Sequence, residues 1–163
     1  MRARSLIRTL SLATAMFLVL GVAQAIAATP PEDLPDFIDF GGDTKGALYF
    51  PDAAEYPDPD TAVLVIHRTG NFLAHTATEE LPPRGFIVLG MNPHSDNNEA
   101  AVNWERIAAD VKAGVEFLKD DVGVERFVLF GHSGGGPTTS YYQAIAEEGL
   151  SVLPGPRQDR RVP

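Results

Sequence analysis

The sequence predicts an α/β fold: a mostly parallel sheet flanked by helices, with an N-terminal hairpin. Three observations carry this. The runs Ala62 to Ile66, Phe86 to Leu89 and Phe127 to Phe130 are continuously apolar rather than alternating, as in strands buried on both faces. Each is followed by a segment of helical character, and strands alternating with helices imply a parallel sheet covered on both sides. Ahead of them, Phe37 to Phe40 and Gly46 to Phe50 flank Gly41-Gly42-Asp43, a turn that suits a hairpin.

The elements follow in order. Thr29 to Asp36 is Pro-rich and acidic, an exposed lead-in to the hairpin. Pro51 to Asp60 carries three prolines and several acids and reads as a loop. After the strand at Ala62 to Ile66, Asn71 to Glu80 is predicted as a helix stopped by Pro82-Pro83. The strand at Phe86 to Leu89 is closed by Gly90 and Pro93. Asn103 to Lys119 places Trp104, Ile107, Ala108, Val111, Val115 and Leu118 on one stripe, the period of an amphipathic helix. Phe127 to Phe130 is the third buried strand. Pro137 to Glu148 is a helix with proline in its first turn and Gly149 after its end. No internal repeat is visible.

Totals narrow the function classes. The chain has 163 residues, 44% of them hydrophobic, which suits one globular domain. There is no cysteine, hence no disulfide framework, thiolate metal site or cysteine nucleophile. Residues 1–28 read as a signal peptide: Arg2, Arg4 and Arg8 precede an apolar stretch from Leu10 to Ala23, and small residues surround Gln24 and Ile26. The apolar run is shorter than a membrane span needs. Its removal takes three arginines and no acid, moving the net charge from −9 to −12. The expected product is an exported acidic protein with no stable membrane anchor. Nucleic acid is excluded as a partner, because phosphate binding needs clustered Lys and Arg. The oligomeric state is left open.

The chemistry gathers at Phe127-Val128-Leu129-Phe130-Gly131-His132-Ser133-Gly134-Gly135-Gly136. Gly131 to Gly135 fits G-x-S-x-G between a strand and a helix. A nucleophile on so tight a turn needs small residues two before and two after it, so that strand and helix can approach. The helix N-terminus then favours negative charge developing on a substrate oxygen. A satisfied serine in a Gly-rich loop and an anion-binding loop are the competing readings. A phosphate-cradling loop would want a Gly-Lys pair, which is missing, and the glycines miss the dinucleotide spacing.

On these residues the sequence resembles the α/β-hydrolase superfamily, in its serine esterase and lipase-like branch. Val124 to Gly136 is similar to the nucleophile elbow, Ala62 to Ile66 to the third strand and Phe86 to Leu89 to the fourth. The resemblance covers about Phe37 to Gly149, the front half of such a domain, and implies an incomplete α/β-hydrolase-type fold over residues 29–149. It implies acyl transfer from a small-molecule substrate to water, with Ser133 as nucleophile and no cofactor or metal. One oxyanion donor is then the Gly134 N–H. The other comes from the loop after the third strand, Ile66-His67-Arg68-Thr69-Gly70-Asn71, with Arg68 and Thr69 as candidates. Arg68 stands where glycine is commoner. His67 and His94 are pocket candidates.

The relay is missing. Members of the superfamily place the acid and then the histidine after the serine, yet His67, His75, His94 and His132 all precede Ser133. A serine without a base is a poor nucleophile. His132 adjoins the serine and should point elsewhere, and His75 falls within a predicted helix. Two readings follow: a serine hydrolase truncated before its acid and histidine, or a catalytically inactive fragment or pseudoenzyme that binds a small molecule or partner. A carrier of anionic ligands at the Gly134 helix terminus is a third. Residues 150–163 form an irregular tail rich in Pro, Gly and Arg. A +1 frame from Val152 can read SCRGPAKIVEC, so an out-of-frame tail is one reading, though codon degeneracy makes such readings easy to find.

Overall fold

A computed structural model describes residues 34–149. The signal-peptide and tail expectations lie outside those residues. Five strands form one open sheet: β1 (Asp36–Asp39), β2 (Lys45–Tyr49), β3 (Thr61–Ile66), β4 (Ile87–Asn92) and β5 (Arg126–Gly131). Their spatial order is β1-β2-β4-β3-β5. β3 pairs in parallel with both β4 and β5, while β2 pairs antiparallel with β1 and β4. Only β2 opposes the common direction, so the sheet is mixed but mostly parallel, with the hairpin at one end.

The centre of the sheet explains the continuous apolar runs. Along β3, Leu64 and Ile66 enter a core with Leu89, Met91, Ile107, Val111 and Leu118. Val63 and Val65 point the other way, toward Phe72 and Val88. Every residue of β3 past Thr61, and every residue of β4, is buried. Each large apolar side chain buried this way contributes roughly 2 kcal/mol.

α2 (Trp104–Asp120) lies over the first face, its predicted stripe buried at Ile107, Ala108, Val111 and Leu118. The Asn103 side chain caps its N-terminus by accepting from the Arg106 N–H. α3 (Gly135–Glu148) packs beside α2 and against β5, with Tyr142 at the edge of the same core. The other face is covered by α1 (Thr76–Glu80) and by a 3-10 turn at Pro82–Arg84, through Ala77 and Leu81.

Three predicted elements differ. The helix expected over residues 71–80 forms only from Thr76, because side chains take the amides a helix would need. Asn71 Oδ1 accepts from the Leu73 N–H, Asn92 Oδ1 from the Phe72 N–H, and His75 Nδ1 from the Ala77 N–H. β4 runs on through Gly90 to Asn92 because β2 pairs with it to that point, Lys45 opposite Asn92. β5 is not buried on both faces. Among the described residues it pairs only with β3, its exposure alternates, and Val128 and Phe130 are 46% and 38% exposed.

Candidate active site

The parallel strands end together. Ile66 of β3 stands opposite both Met91 of β4 and Gly131 of β5. The loops after these strands therefore share one edge of the sheet, where chemistry sits in open α/β folds.

The turn after β5 is tightly constrained. Ser133 has φ 53°, in the left-handed region that a serine rarely occupies. The glycines around it have no room for a side chain. A Cβ on Gly131 would stand 2.1 Å from the Gly135 carbonyl oxygen, and one on Gly135 would stand 2.0 Å from the Ile66 carbonyl oxygen. Strand, turn and helix thus touch through main chain alone, and Ser133 is left exposed at the tip. The Gly135 N–H donates to the His132 carbonyl at 2.8 Å and the Gly136 N–H to the Ser133 carbonyl at 3.1 Å, closing the turn.

The loop after β3 folds around its own histidine. His67 Nδ1 accepts from the Thr69 N–H at 2.9 Å and the Gly70 N–H at 2.7 Å. The ring proton therefore sits on Nε2. Nε2 lies 2.8 Å from where a Cβ on Gly134 would be, and Arg68 Cβ lies 3.4 Å from it. The loop and the residue after Ser133 are thereby in contact. Burial first, then the Arg68 and His132 charges, hold the His67 pKa below the ordinary imidazole value despite Glu99.

A second loop, after β4, grips the first. Ser95 Oγ donates to the Arg68 carbonyl at 2.8 Å, and the Asn97 N–H donates to the Thr69 carbonyl at 2.7 Å. Glu99 Oε1 accepts from Arg68 Nη2 at 3.0 Å and from Thr69 Oγ1 at 2.9 Å. These contacts depend on Ser95, Asn97 and Glu99, which belong to no sequence motif. The Asx-rich stretch from Asn92 to Asn98 is turn chemistry and was the available signal.

The predicted residues divide. Ser133, Gly134, His67, Arg68 and Thr69 come together. The Thr69 N–H is committed to His67, whereas the Arg68 and Gly134 N–H groups take no part in the turn, loop and cap hydrogen bonds of the described residues. His94 does not line an opening. It is buried, with Nδ1 2.6 Å from Asp110 Oδ2 and Nε2 3.2 Å from the Ala101 carbonyl oxygen. Asp110 also accepts from the His94 N–H and the Thr44 hydroxyl, at 3.0 and 2.8 Å. His94 therefore fastens the β4 loop to α2, with both ring nitrogens facing acceptors within the fold. His75 and His132 join His67 around Phe72: the Phe72 ring stacks on His67 at 5.3 Å and on His75 at 4.5 Å, and His132 lies 5.4 Å from His75. Among the described residues the Ser133 hydroxyl makes no hydrogen bond to a histidine.

Solved structures share this fold. A lidless α/β serine hydrolase from Xanthomonas campestris, XC6422, superposes with TM-score 0.56 at 16% identity, covering 71% of this chain and 58% of that one. Est1E from Butyrivibrio proteoclasticus with ferulic acid bound gives TM-score 0.54 at 19% identity, covering 69% of this chain and 48% of that one. A further Est1E structure gives TM-score 0.51 at 18% identity, covering 71% and 47%. The described domain has an α/β-hydrolase-like fold. It is a partial one, since the chain spans roughly half the length of these neighbours. No family model and no curated protein matches the sequence. Within the α/β-hydrolase-like frame, the candidate residues lie at the carboxyl ends of β3 and β5, and no helix of the described residues is long and apolar enough to cross a membrane.

Proposed function

We propose that the sheet edge is a serine acyl-hydrolase site, with Ser133 as nucleophile and the Gly134 and Arg68 N–H groups as oxyanion donors. One observation carries the proposal: Ser133 is held at φ 53° between two glycines that permit main-chain contact. Such strain costs about 1–3 kcal/mol and persists where function uses it. Ser133 Oγ would add to a substrate carbonyl, its proton passing to a base. The carbonyl oxygen would take up negative charge at the two N–H groups and the start of α3. Collapse would expel the alcohol and leave an ester on Ser133, which water then cleaves. Each oxyanion donor is worth roughly 100-fold in rate. The hydrolase neighbours support this reading, and a small-molecule carboxylic ester is the substrate class it implies.

The base and acid are proposed to belong to the part of a hydrolase domain that lies beyond the span matched here. Without them, acylation should be slow and deacylation slower. Treating the full chain with p-nitrophenyl acetate tests this: an acetyl group should accumulate on Ser133 and be absent from Ser133→Ala. A folded chain that acquires no acetyl group there contradicts the proposal.

A second reading, a non-catalytic module that binds a small molecule at this edge, is favoured by the histidines. His67 and His75 spend Nδ1 on backbone amides and His94 spends both nitrogens, none of them on Ser133. The acetylation experiment separates the two. Export is part of the proposal and rests on the leader at residues 1–28; N-terminal sequencing of protein recovered outside the cytoplasm should start just after it.

A further inference from the structure

Arg68 is the odd residue of this site. Its backbone is locked, with its carbonyl bound by the fully buried Ser95. Its Cβ lies against the Gly134 position. Its side chain therefore leaves the main chain beside the proposed oxyanion donors.

The guanidinium is incompletely used. Arg68 Nε is buried and has no hydrogen-bond partner, while Nη2 donates to Glu99 Oε1 at 3.0 Å. Nε and Nη2 share one edge of the guanidinium, the edge that receives a carboxylate through two parallel hydrogen bonds. Glu99 supplies one oxygen to one of these donors and shares it with the Thr69 hydroxyl at 2.9 Å. The Glu99 side chain is 63% exposed and belongs to a three-residue 3-10 turn, Glu99–Ala101. It is a weakly held carboxylate in a place that suits a better one.

We propose that Arg68 selects acyl substrates carrying a free carboxylate near the scissile carbonyl, the substrate carboxylate displacing Glu99 and pairing with both Nε and Nη2. This rests on the serine-hydrolase reading of the site and adds a substrate class to it. Arg68 is a specificity residue here through its side chain, distinct from the role proposed for its N–H. The displaced Glu99 would swing into solvent, and Thr69 Oγ1 would be free to meet the incoming ligand.

The test is equilibrium binding to the full chain, followed by NMR at the Gly134 amide, with monomethyl glutarate and dimethyl glutarate as probes. They differ in one charge. The monoester should bind about tenfold more tightly, the difference expected of one charge-assisted bidentate pair. The preference should vanish in Arg68→Gln. Glu99→Gln, which removes the competing carboxylate on an exposed turn, should tighten the monoester and leave the diester unchanged. Equal binding of the two esters, binding of neither, or a preference that survives Arg68→Gln overturns the proposal. If Arg68→Gln fails to fold, Glu99→Gln decides alone: tightening supports the proposal, and no change or weakening overturns it. The readout does not involve acylation. Loss of Ser133 acetylation with the preference intact counts against the nucleophile, and the converse counts against Arg68.

Discussion

His67 and Gly134 are in direct steric register: the imidazole Nε2 lies 2.8 Å from where a Cβ on residue 134 would stand. The ring cannot simply retreat, because Nδ1 is bound by the Thr69 and Gly70 N–H groups. A methyl at 134 must therefore either displace the ring and both bonds or move the turn that carries Ser133. Where the turn moves, Gly134→Ala should slow Ser133 acetylation roughly 100-fold, the effect of misplacing one oxyanion donor. The substitution should cost less in a His67→Ala background, since the two residues are in contact and should not act additively. Equal losses in both backgrounds would show that the contact does not matter.

The backbone of Ser133 makes a stability prediction independent of activity. At φ 53° a side chain is strained, and alanine keeps the strain while glycine removes it. Ser133→Gly should exceed Ser133→Ala in unfolding free energy by about 1 kcal/mol, measured by urea denaturation. Ser133→Ala as stable as Ser133→Gly would argue that the turn is not under strain.

Much of the frame was legible because burial leaves a pattern. The continuous apolar runs at β3 and β4 and the stripe on α2 follow from what each element covers. The tight turn at residues 131–135 was legible because a Gly-x-Ser-x-Gly spacing, weak by itself, lies between a strand-like run and a helix-like one, and the structure has both. The residues that shape the site were not. Asn71 and Asn92 take backbone amides from the segment before α1 and His75 takes one from its first turn, and no apolar period reports that. His94 stands at the expected end of the sheet, but only the fold reveals Asp110 beneath it. The exposure of Val128 and Phe130 reflects what pairs with β5 among the described residues, which the composition of the strand does not encode.

The His94–Asp110 pair should behave as structure. Its side chains are 3% and 10% exposed, and Asp110 accepts bonds from Thr44, the His94 ring and the His94 amide. Removing the carboxylate leaves three buried donors unmatched. Asp110→Ala should destabilise by about 3–5 kcal/mol, the cost of breaking a buried pair from one side. Replacing both residues with leucine should cost less than Asp110→Ala alone. A mild Asp110→Ala would show that the β4 loop is held by its other contacts.

Acid should loosen the same edge. His75, like His67, is held below the ordinary imidazole value of 6.5, by burial first and then by the His132 charge. Both rings therefore bind protons more readily in the unfolded chain. Stability is full above the ordinary imidazole pKa and is lost as pH falls through about 6.5 toward the depressed folded values. Denaturation midpoints should drop between about pH 7.5 and about pH 5, a range where most carboxylates stay ionised. His75→Asn, which can still cap α1, should reduce the slope. An unchanged slope in that variant would exclude His75 from the effect.

The central claim is that this turn presents Ser133 as a nucleophile. The most direct measurement is reaction of the folded full chain with a fluorophosphonate, the adduct located by mass spectrometry. The P–F bond breaks as the Oγ–P bond forms, so the product marks the attacking atom. An adduct should form on Ser133 ahead of every other serine, be lost in Ser133→Ala and form more slowly in Gly134→Ala. A folded protein that stays unlabelled at Ser133, or that is labelled equally at other exposed serines, would contradict it.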